Sequence, residues 1–215
     1  MRKRVARAEK TEETRQKLLA AARTVFLRRG FHASSLDLVA EEAGFTKGAV
    51  YSRYKSKADL FLAVLEVRIE QRIAEMRQAA ASKRGILEAA VVLGRQWDEK
   101  VRDDRQWSLL LIEFRLHAAR TPSVNRRYAA IHARLRSSMA RDIEEAARGR
   151  GETLPLPAEQ LARFALAVGT GAMLEQLAEP DAPAPHLTES VLMAMLQGLI
   201  GAAAPATVRR KRTAA

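Results

Sequence analysis

The chain of 215 residues contains no cysteine, which excludes disulfide bonds and thiolate metal sites. It also has no uninterrupted apolar run of about 18 residues, so a membrane-spanning helix is not expected. The N-terminal residues Met1-Arg2-Lys3-Arg4 lack the apolar stretch of a signal peptide. From these absences we expect a cytoplasmic protein without a membrane partner.

Catalytic and cofactor motifs are missing as well. The four histidines are scattered, no HExxH or carboxylate-histidine metal spacing occurs, and no glycine-rich loop of the P-loop or dinucleotide type is present. We therefore expect no enzymatic activity, no bound metal and no cofactor.

β-Strand signals are also sparse, because β-branched alternation and Asn-Gly or Asp-Gly hairpin turns are absent. Apolar residues instead recur at helical spacing almost from end to end. The sequence predicts an all-α protein of about nine helices. Three short helices precede a fourth that runs from Ser56 to about Ala80, and the later ones fall near 84–101, 105–119, 123–148, 158–178 and 187–201.

Positive charge is concentrated at the two ends of the chain. Residues 1–57 hold fourteen Lys and Arg against six Asp and Glu, and Arg209-Arg210-Lys211-Arg212 adds four more positive charges. The stretch 58–208 sums to zero, so the net charge of +12 lies outside it. A basic head on a neutral body is typical of a protein that presents one end to a polyanion such as DNA.

A helix-turn-helix is indicated by Ala40, Gly44 and Val50. The small Ala40 lets two helices cross closely, Gly44 can adopt the positive φ of the turn, and Val50 packs the second helix on the first. This triplet alone occurs by chance in many helical proteins. The short, polar and basic segment that follows makes the prediction more specific.

Residues 46–57 contain the candidate DNA contacts. Thr46 caps a helix start that favours an anion, and Lys47 is placed to reach a base edge in the major groove. Gly48 lowers helix stability, which is consistent with a close approach of the backbone to DNA. Tyr51 and Lys57 are predicted phosphate contacts, whereas Tyr54 is assigned to the core.

The segment Thr14–Leu65 resembles the DNA-binding domain of the TetR family of bacterial regulators. The similarity rests on Gly30-Phe31, Ser34-Ser35, Val39-Ala40, Ala43-Gly44, Gly48, Val50-Tyr51, Tyr54, Lys57 and Leu60. The resemblance implies phosphate contacts at Ser34, Ser35, Thr46, Tyr51 and Lys57, and base contacts near Lys47, Gly48 and Ala49. It implies a double-stranded DNA operator as partner, with repression as the usual mode of regulation.

The chain departs from the family late in the third helix, where His-Phe is usual and Arg53-Tyr54 stands instead. Arg53 adds charge to the predicted DNA face, and it either reads a guanine or binds phosphate. The hydroxyl of Tyr54 needs a partner or water.

For the remaining helices the resemblance implies a pocket for a small-molecule effector. Trp97, Trp107, Glu113 and His117 are the candidate lining residues. The alternative for both tryptophans is ordinary core or rim packing, and for His117 it is a hydrogen-bonded packing histidine.

Two late apolar stripes predict a homodimer. TetR-like proteins pair their last two helices as a four-helix bundle, and a two-fold dimer matches a palindromic operator. The alternative is that both stripes close the core of a monomer. The predicted interface residues are Leu161, Phe164, Val168, Ala172, Leu192, Met195, Leu196 and Leu199.

These interpretations divide the chain into a DNA-binding domain at 11–57, a ligand-binding and dimerisation domain at 58–205, and basic flexible tails at 1–10 and 206–215. Two rival functions are compatible with the basic ends: a nonspecific architectural DNA-binding protein, and a helical carrier that docks on anionic lipid. Lys47-Gly48 at a helix start favours groove reading over both.

Overall fold

Strong helix formers such as Ala, Leu, Arg and Glu dominate the segments that fold as helices. The computed structural model describes the backbone of residues 2–80, 85–179 and 186–203, with side chains from residues 11–78, 85–179 and 186–201. Within these ranges there are nine helices and no strands. They are α1 (Arg2–Arg29), α2 (Leu36–Ala43), α3 (Lys47–Tyr51), α4 (Lys57–Ala80), α5 (Ile86–Asp103), α6 (Arg105–Arg120), α7 (Pro122–Arg150), α8 (Ala158–Ala178) and α9 (Leu187–Ala203).

The all-α prediction is confirmed, and most helix ends lie within a few residues of their predicted positions. One difference concerns residues 2–10, which were assigned to a flexible tail but form the first part of α1. No Gly or Pro interrupts this stretch, and its Arg, Lys, Ala and Glu residues favour a helix. The second predicted tail, 206–215, lies outside the described residues.

The described residues form two compact units. The first contains Met1–Gln71 and Arg105–His132, and the second contains Arg72–Asp104 and Ala133–Ala215. Helices α4 and α7 thus contribute to both units. The predicted DNA-binding segment 11–57 falls in the first unit, together with α6, whereas the sequence prediction places α6 in the second domain.

An aromatic cluster explains why α6 belongs to the first unit. The ring of Phe114 on α6 stacks on Phe61 of α4, with 4.1 Å between centroids, and meets Phe31 edge-on at 5.1 Å. Phe26 of α1 meets Phe61 edge-on at 5.3 Å. All four rings are at most 1% exposed, so their burial contributes several kcal/mol in total, at about 1.5–3 kcal/mol each.

Close crossings of α5 with α8 and α9 organise the second unit. A Cβ at Gly94 of α5 would lie 2.6 Å from Cα of Glu189, and a Cβ at Gly169 of α8 would lie 3.0 Å from the indole of Trp97. The carboxylate of Asp98, which is 6% exposed, accepts hydrogen bonds from the backbone N–H groups of Thr188 and Glu189. A side chain of α5 therefore satisfies free donors at the start of α9.

Candidate DNA interface and effector cavity

The turn between α2 and α3 has the geometry that the spacing of Ala40, Gly44 and Val50 predicts. Gly44 has φ 67°, a left-handed conformation that glycine adopts at little cost, and its N–H donates to Glu41 O at 3.1 Å. The N–H of Phe45 donates to Ala40 O at 2.9 Å. Ala40 and Val50 are 2% and 0% exposed, so both pack between the helices. The helix-turn-helix prediction is confirmed.

Both helices of this motif are capped by predicted DNA-contacting residues. The hydroxyl of Ser35 accepts a hydrogen bond from Leu38 N at 3.2 Å, and the hydroxyl of Thr46 accepts one from Ala49 N at 3.3 Å. Such caps fix where a helix begins and direct its unpaired N–H groups outward. The starts of α2 and α3 are thereby available to an anion, as the phosphate role requires.

The outer surface of α3 is polar and open. Lys47, Gly48, Tyr51 and Arg53 are exposed and Ala49 is half-buried; the ring of Tyr51 is 51% exposed although it is aromatic. A Cβ added at Gly48 would meet no atom within 4 Å. Nothing within the described part of the chain therefore explains a glycine or an exposed tyrosine here by packing. Tyr54 instead packs against the core, and burial raises its pKa.

Lys47 forms an ion pair with Asp37 of α2. The hydrogen bond from Lys47 lowers the pKa of Asp37, and Asp37 in turn raises the pKa of Lys47. Both side chains are largely exposed, so the pair adds little stability. It does hold the ammonium on the outer face of the motif.

Two predicted phosphate contacts have partners inside the protein. Ser34 is 5% exposed, and its hydroxyl donates to Gly30 O at 2.6 Å. The ammonium of Lys57 donates to His32 O at 2.6 Å and to Ser34 O at 3.1 Å. Burial lowers the pKa of Lys57, which has one further N–H to offer to a phosphate. Ser34 thus fixes the turn between α1 and α2 rather than presenting its hydroxyl to DNA.

Three of the four candidate ligand residues lie in the first unit. Trp107 stacks on Phe61 at 6.0 Å, and the ring of His117 lies 4.8 Å from that of Phe31. Glu113 accepts a hydrogen bond from Phe31 N at 2.8 Å. The candidate pocket residues are corrected on this point, because Glu113 and His117 contact the turn after α1 and Trp107 packs on α4.

The fourth candidate, Trp97, lines a cavity within the second unit. Helices α5, α7, α8 and α9 form its wall, together with the last turns of α4. Almost every lining side chain is aliphatic, aromatic or a thioether. The lining residues are Arg72, Met76, Ile86, Ala89, Ala90, Leu93, Trp97, Leu135, Met139, Ile143, Ala146, Leu161, Phe164, Ala165, Leu166, Gly169, Thr188, Leu192, Met195, Leu196 and Leu199.

The lining set overlaps with the predicted dimer interface. Leu161, Phe164, Leu192, Met195, Leu196 and Leu199 all face the cavity. Leu161, Ala172 and Leu192 are less than 10% exposed, so these three pack inside the chain, and Val168 is half-buried. The geometry of these residues therefore agrees better with the alternative, in which they close the core of their own chain.

A different face of α8 and α9 is open. It carries small residues at helical spacing together with the larger apolar side chain of Leu174, which is 47% exposed. A Cβ added at Gly171, Gly198 or Gly201 would meet no atom within 4 Å. The exposed residues of this face are Ala167, Gly171, Leu174, Ala178, Ala194, Gly198 and Gly201.

Sequence reasoning missed Asp37, Arg72 and Thr188. Asp37 lies two residues after the cap of α2, Ser35, in the first turn of that helix. Arg72 and Thr188 are separated by more than a hundred residues, and no periodicity connects them. Helical spacing does place Arg72 on the same face as Met76, four residues later, and this was the available signal.

The exposed α3 behind a glycine turn defines the class of this protein, a helix-turn-helix DNA-binding regulator. The chain belongs to the TetR family. Residues 18–64 match the bacterial regulatory proteins of the tetR family, and residues 92–201 match the C-terminal domain of BetI-type transcriptional repressors. Proteins of this family are transcriptional regulators rather than enzymes.

Curated relatives match about a third of the chain or less. The transcriptional activator FasR of Mycolicibacterium smegmatis is 41% identical over 68 residues, which is 32% of this chain and 31% of FasR. The regulator AcrR of Shigella flexneri is 39% identical over 59 residues, 27% of each chain. The chain therefore spans about a third or less of the length of these two relatives.

Solved structures share the whole fold at low identity. FadR from Bacillus subtilis in complex with stearoyl-CoA has a TM-score of 0.69 and 16% identity, over 85% of this chain and 98% of FadR. GusR from Salmonella enterica has a TM-score of 0.68 and 23% identity, over 88% and 96%. Among the described residues, no helix is long and apolar enough to cross a membrane.

Proposed function

We propose that this protein is a repressor that binds a palindromic operator as a homodimer and releases it when a small molecule occupies the cavity of the second unit. The observation that carries the proposal is the open surface of α3, where Lys47, Gly48 and Tyr51 are exposed and a Cβ added at Gly48 would meet no atom of the described residues within 4 Å. Operator DNA lies in the cytoplasm, so we assign the protein to that compartment.

The proposed contacts divide into two kinds. Lys47, Gly48 and Ala49 enter the major groove and read base edges, because the first turn of a recognition helix reaches deepest. Ser35, Thr46 and Tyr51 hold phosphates through caps and a hydroxyl, with Arg53 beside them. Lys57 adds its remaining N–H while it keeps the turn after α1 in place.

Homodimerisation is proposed through the open face of α8 and α9. Its small residues allow the helices of two copies to approach closely, and Leu174 supplies apolar area. Half-buried Val168 and Phe164, which is 39% exposed, lie beside this face. The cavity-lining residues then form the layer behind the interface instead of the interface itself.

An effector site is proposed in the cavity that Trp97 lines. Its wall is apolar with few polar groups, the usual composition of a small-molecule pocket. The fold neighbour FadR is bound to stearoyl-CoA, and this likeness supports proposing a small-molecule effector for the present chain.

Release is proposed to act through α4, which is one continuous helix from Lys57 to Ala80. Lys57 bonds to the turn after α1, and Arg72 and Met76 line the cavity. In a dimer the two recognition helices must be one DNA turn apart, about 34 Å. A small pivot of α4 on ligand binding would spoil that spacing and lower operator affinity.

The direct test is selection of binding sites from a random pool of DNA duplexes, followed by affinity measurement with the selected duplex. A palindromic consensus bound by two chains is the expected result. A pool without enrichment, bound with a steep salt dependence, would identify a nonspecific architectural protein. Binding to anionic vesicles in preference to any duplex would favour the lipid-docking alternative.

A further inference from the structure

We infer that the effector is an elongated aliphatic molecule with one anionic head, of the chemical class of the fatty acids. This inference rests on the proposed role of the second unit as the effector-binding part. It is carried by the shape of the cavity, by the chemistry of its wall and by three polar residues that meet at one end.

The residues that line the cavity extend along three helices. The cavity is lined from Ile86 to Trp97 along α5, from Leu135 to Ala146 along α7, and from Thr188 to Leu199 along α9. Each of these stretches covers three helical turns, about 16 Å at the usual rise per residue. A ligand that fills this space is therefore extended rather than compact.

The wall excludes polar ligands. Apart from Arg72 and Thr188, the lining side chains carry no hydrogen-bonding group except the indole N–H of Trp97, which donates to Gly169 O at 2.8 Å. A sugar or nucleotide would leave its own polar groups unpaired against this surface. An alkyl chain has no polar groups to pair, so its burial against this wall is favourable.

The polar residues gather at one end. The guanidinium of Arg72 lies 5.9 Å from the ring centroid of Trp97. Asp98, the next residue after Trp97, accepts a hydrogen bond from Thr188 N at 3.0 Å. Trp97 thus brings Arg72 and Thr188 to the same end, while Ile86, eleven residues earlier, packs with Ala146 and Ala147 in an apolar cluster.

A cation lies at the polar end. Arg72 lies 3.6 Å from Glu75, and Lys100 pairs with the same carboxylate. Among the described residues that line the cavity, Arg72 is the one charged side chain, and it is 13% exposed. An anionic head group is favoured there, and a cationic one is repelled.

Thr188 supplies a second polar group for the head. Its residue is 2% exposed, and its hydroxyl oxygen has no hydrogen-bond partner within the described residues. A buried hydroxyl is favoured by a hydrogen-bond partner, which a polar ligand atom can supply. A carboxylate could accept hydrogen bonds from this hydroxyl and from the guanidinium of Arg72.

The test is calorimetric titration of the full chain with three probes that share a twelve-carbon chain: laurate and dodecyltrimethylammonium below their micelle concentrations, and methyl laurate below its solubility limit. We expect laurate to bind at least tenfold tighter than either of the other two. Arg72→Gln should weaken laurate about tenfold and leave methyl laurate unchanged, and Thr188→Val should weaken laurate severalfold. Arg95→Gln is the matched control, because Arg95 also pairs with a glutamate but does not line the cavity.

Equal affinities for the three probes, no binding of laurate, or an equal loss for laurate and methyl laurate in Arg72→Gln would overturn the inference. The proposed function is tested separately by titrating the ligand-free protein with its selected duplex. Tight laurate binding without loss of operator affinity supports the ligand class and refutes ligand release. Failure of the ligand-free protein to bind any duplex refutes the proposed function while the laurate result stands.

Discussion

Gly48→Ala should raise the stability of the protein and lower its affinity for the operator. Gly48 is the second residue of α3, and a Cβ there would meet no atom within 4 Å. Alanine is favoured over glycine by about 1 kcal/mol in a helix interior, and we expect about half of that, ~0.5 kcal/mol, in the first turn of a short helix. The melting temperature should rise by about 1–2 °C.

The operator measurement should change in the opposite direction. If the backbone at Gly48 lies against base edges, a methyl group on this surface prevents the close approach. Loss of one base contact costs about 1–3 kcal/mol, which corresponds to a roughly 5- to 150-fold higher Kd. Fluorescence anisotropy with a labelled operator duplex at fixed salt measures this change.

Gly149→Ala provides the control for both effects. Gly149 lies near the end of α7, and a Cβ there also meets no atom within 4 Å. This variant should gain similar stability with unchanged operator affinity. If Gly48→Ala binds the operator as tightly as the parent protein, the close approach of α3 to DNA at this position is refuted.

Four further predictions concern single residues. Lys47→Ala should alter base preference, and an equal loss across operator variants would show that Lys47 only contacts phosphate. Lys57→Met removes two charge-assisted hydrogen bonds to carbonyls, so thermal denaturation should show a stability loss of about 1.5–3 kcal/mol, and DNA binding should also weaken. An unchanged melting temperature would contradict the structural role of Lys57. In Gly171→Leu the new side chain has room on the open face of a single chain but prevents the close approach of α8 and α9 of two chains in the proposed dimer. Light scattering should therefore report a folded monomer, and a persistent dimer would show that the interface lies elsewhere. Burial raises the pKa of Asp142, so the folded chain holds the carboxyl proton more tightly than the unfolded chain, and stability falls as the pH rises above the unfolded-state pKa of this group. The variant Asp142→Asn should therefore melt at a higher temperature than the parent protein at neutral pH but not in acid. A difference in melting temperature that does not depend on pH would contradict this cause.

The sequence by itself determined the helices and the helix-turn-helix. Their signals are local: a Ser or Thr cap acts on an N–H three residues away, and the N–H of Gly44 ends α2 through bonds to carbonyls three and four residues before it. Because these bonds connect near neighbours in the chain, the residues that make them can be recognised in order along the sequence.

Only the tertiary structure decided which apolar faces meet. The stripe of α6 could have packed in either unit, and the fit of Phe114 between Phe31 and Phe61 places it in the first. The polar end of the cavity joins Arg72, Trp97 and Thr188 from three helices, and no local pattern encodes that meeting. The hydrophobic effect is non-directional, so a sequence pattern indicates that a helix face is buried but not which element covers it. Shape complementarity between distant segments selects the element that packs on that face.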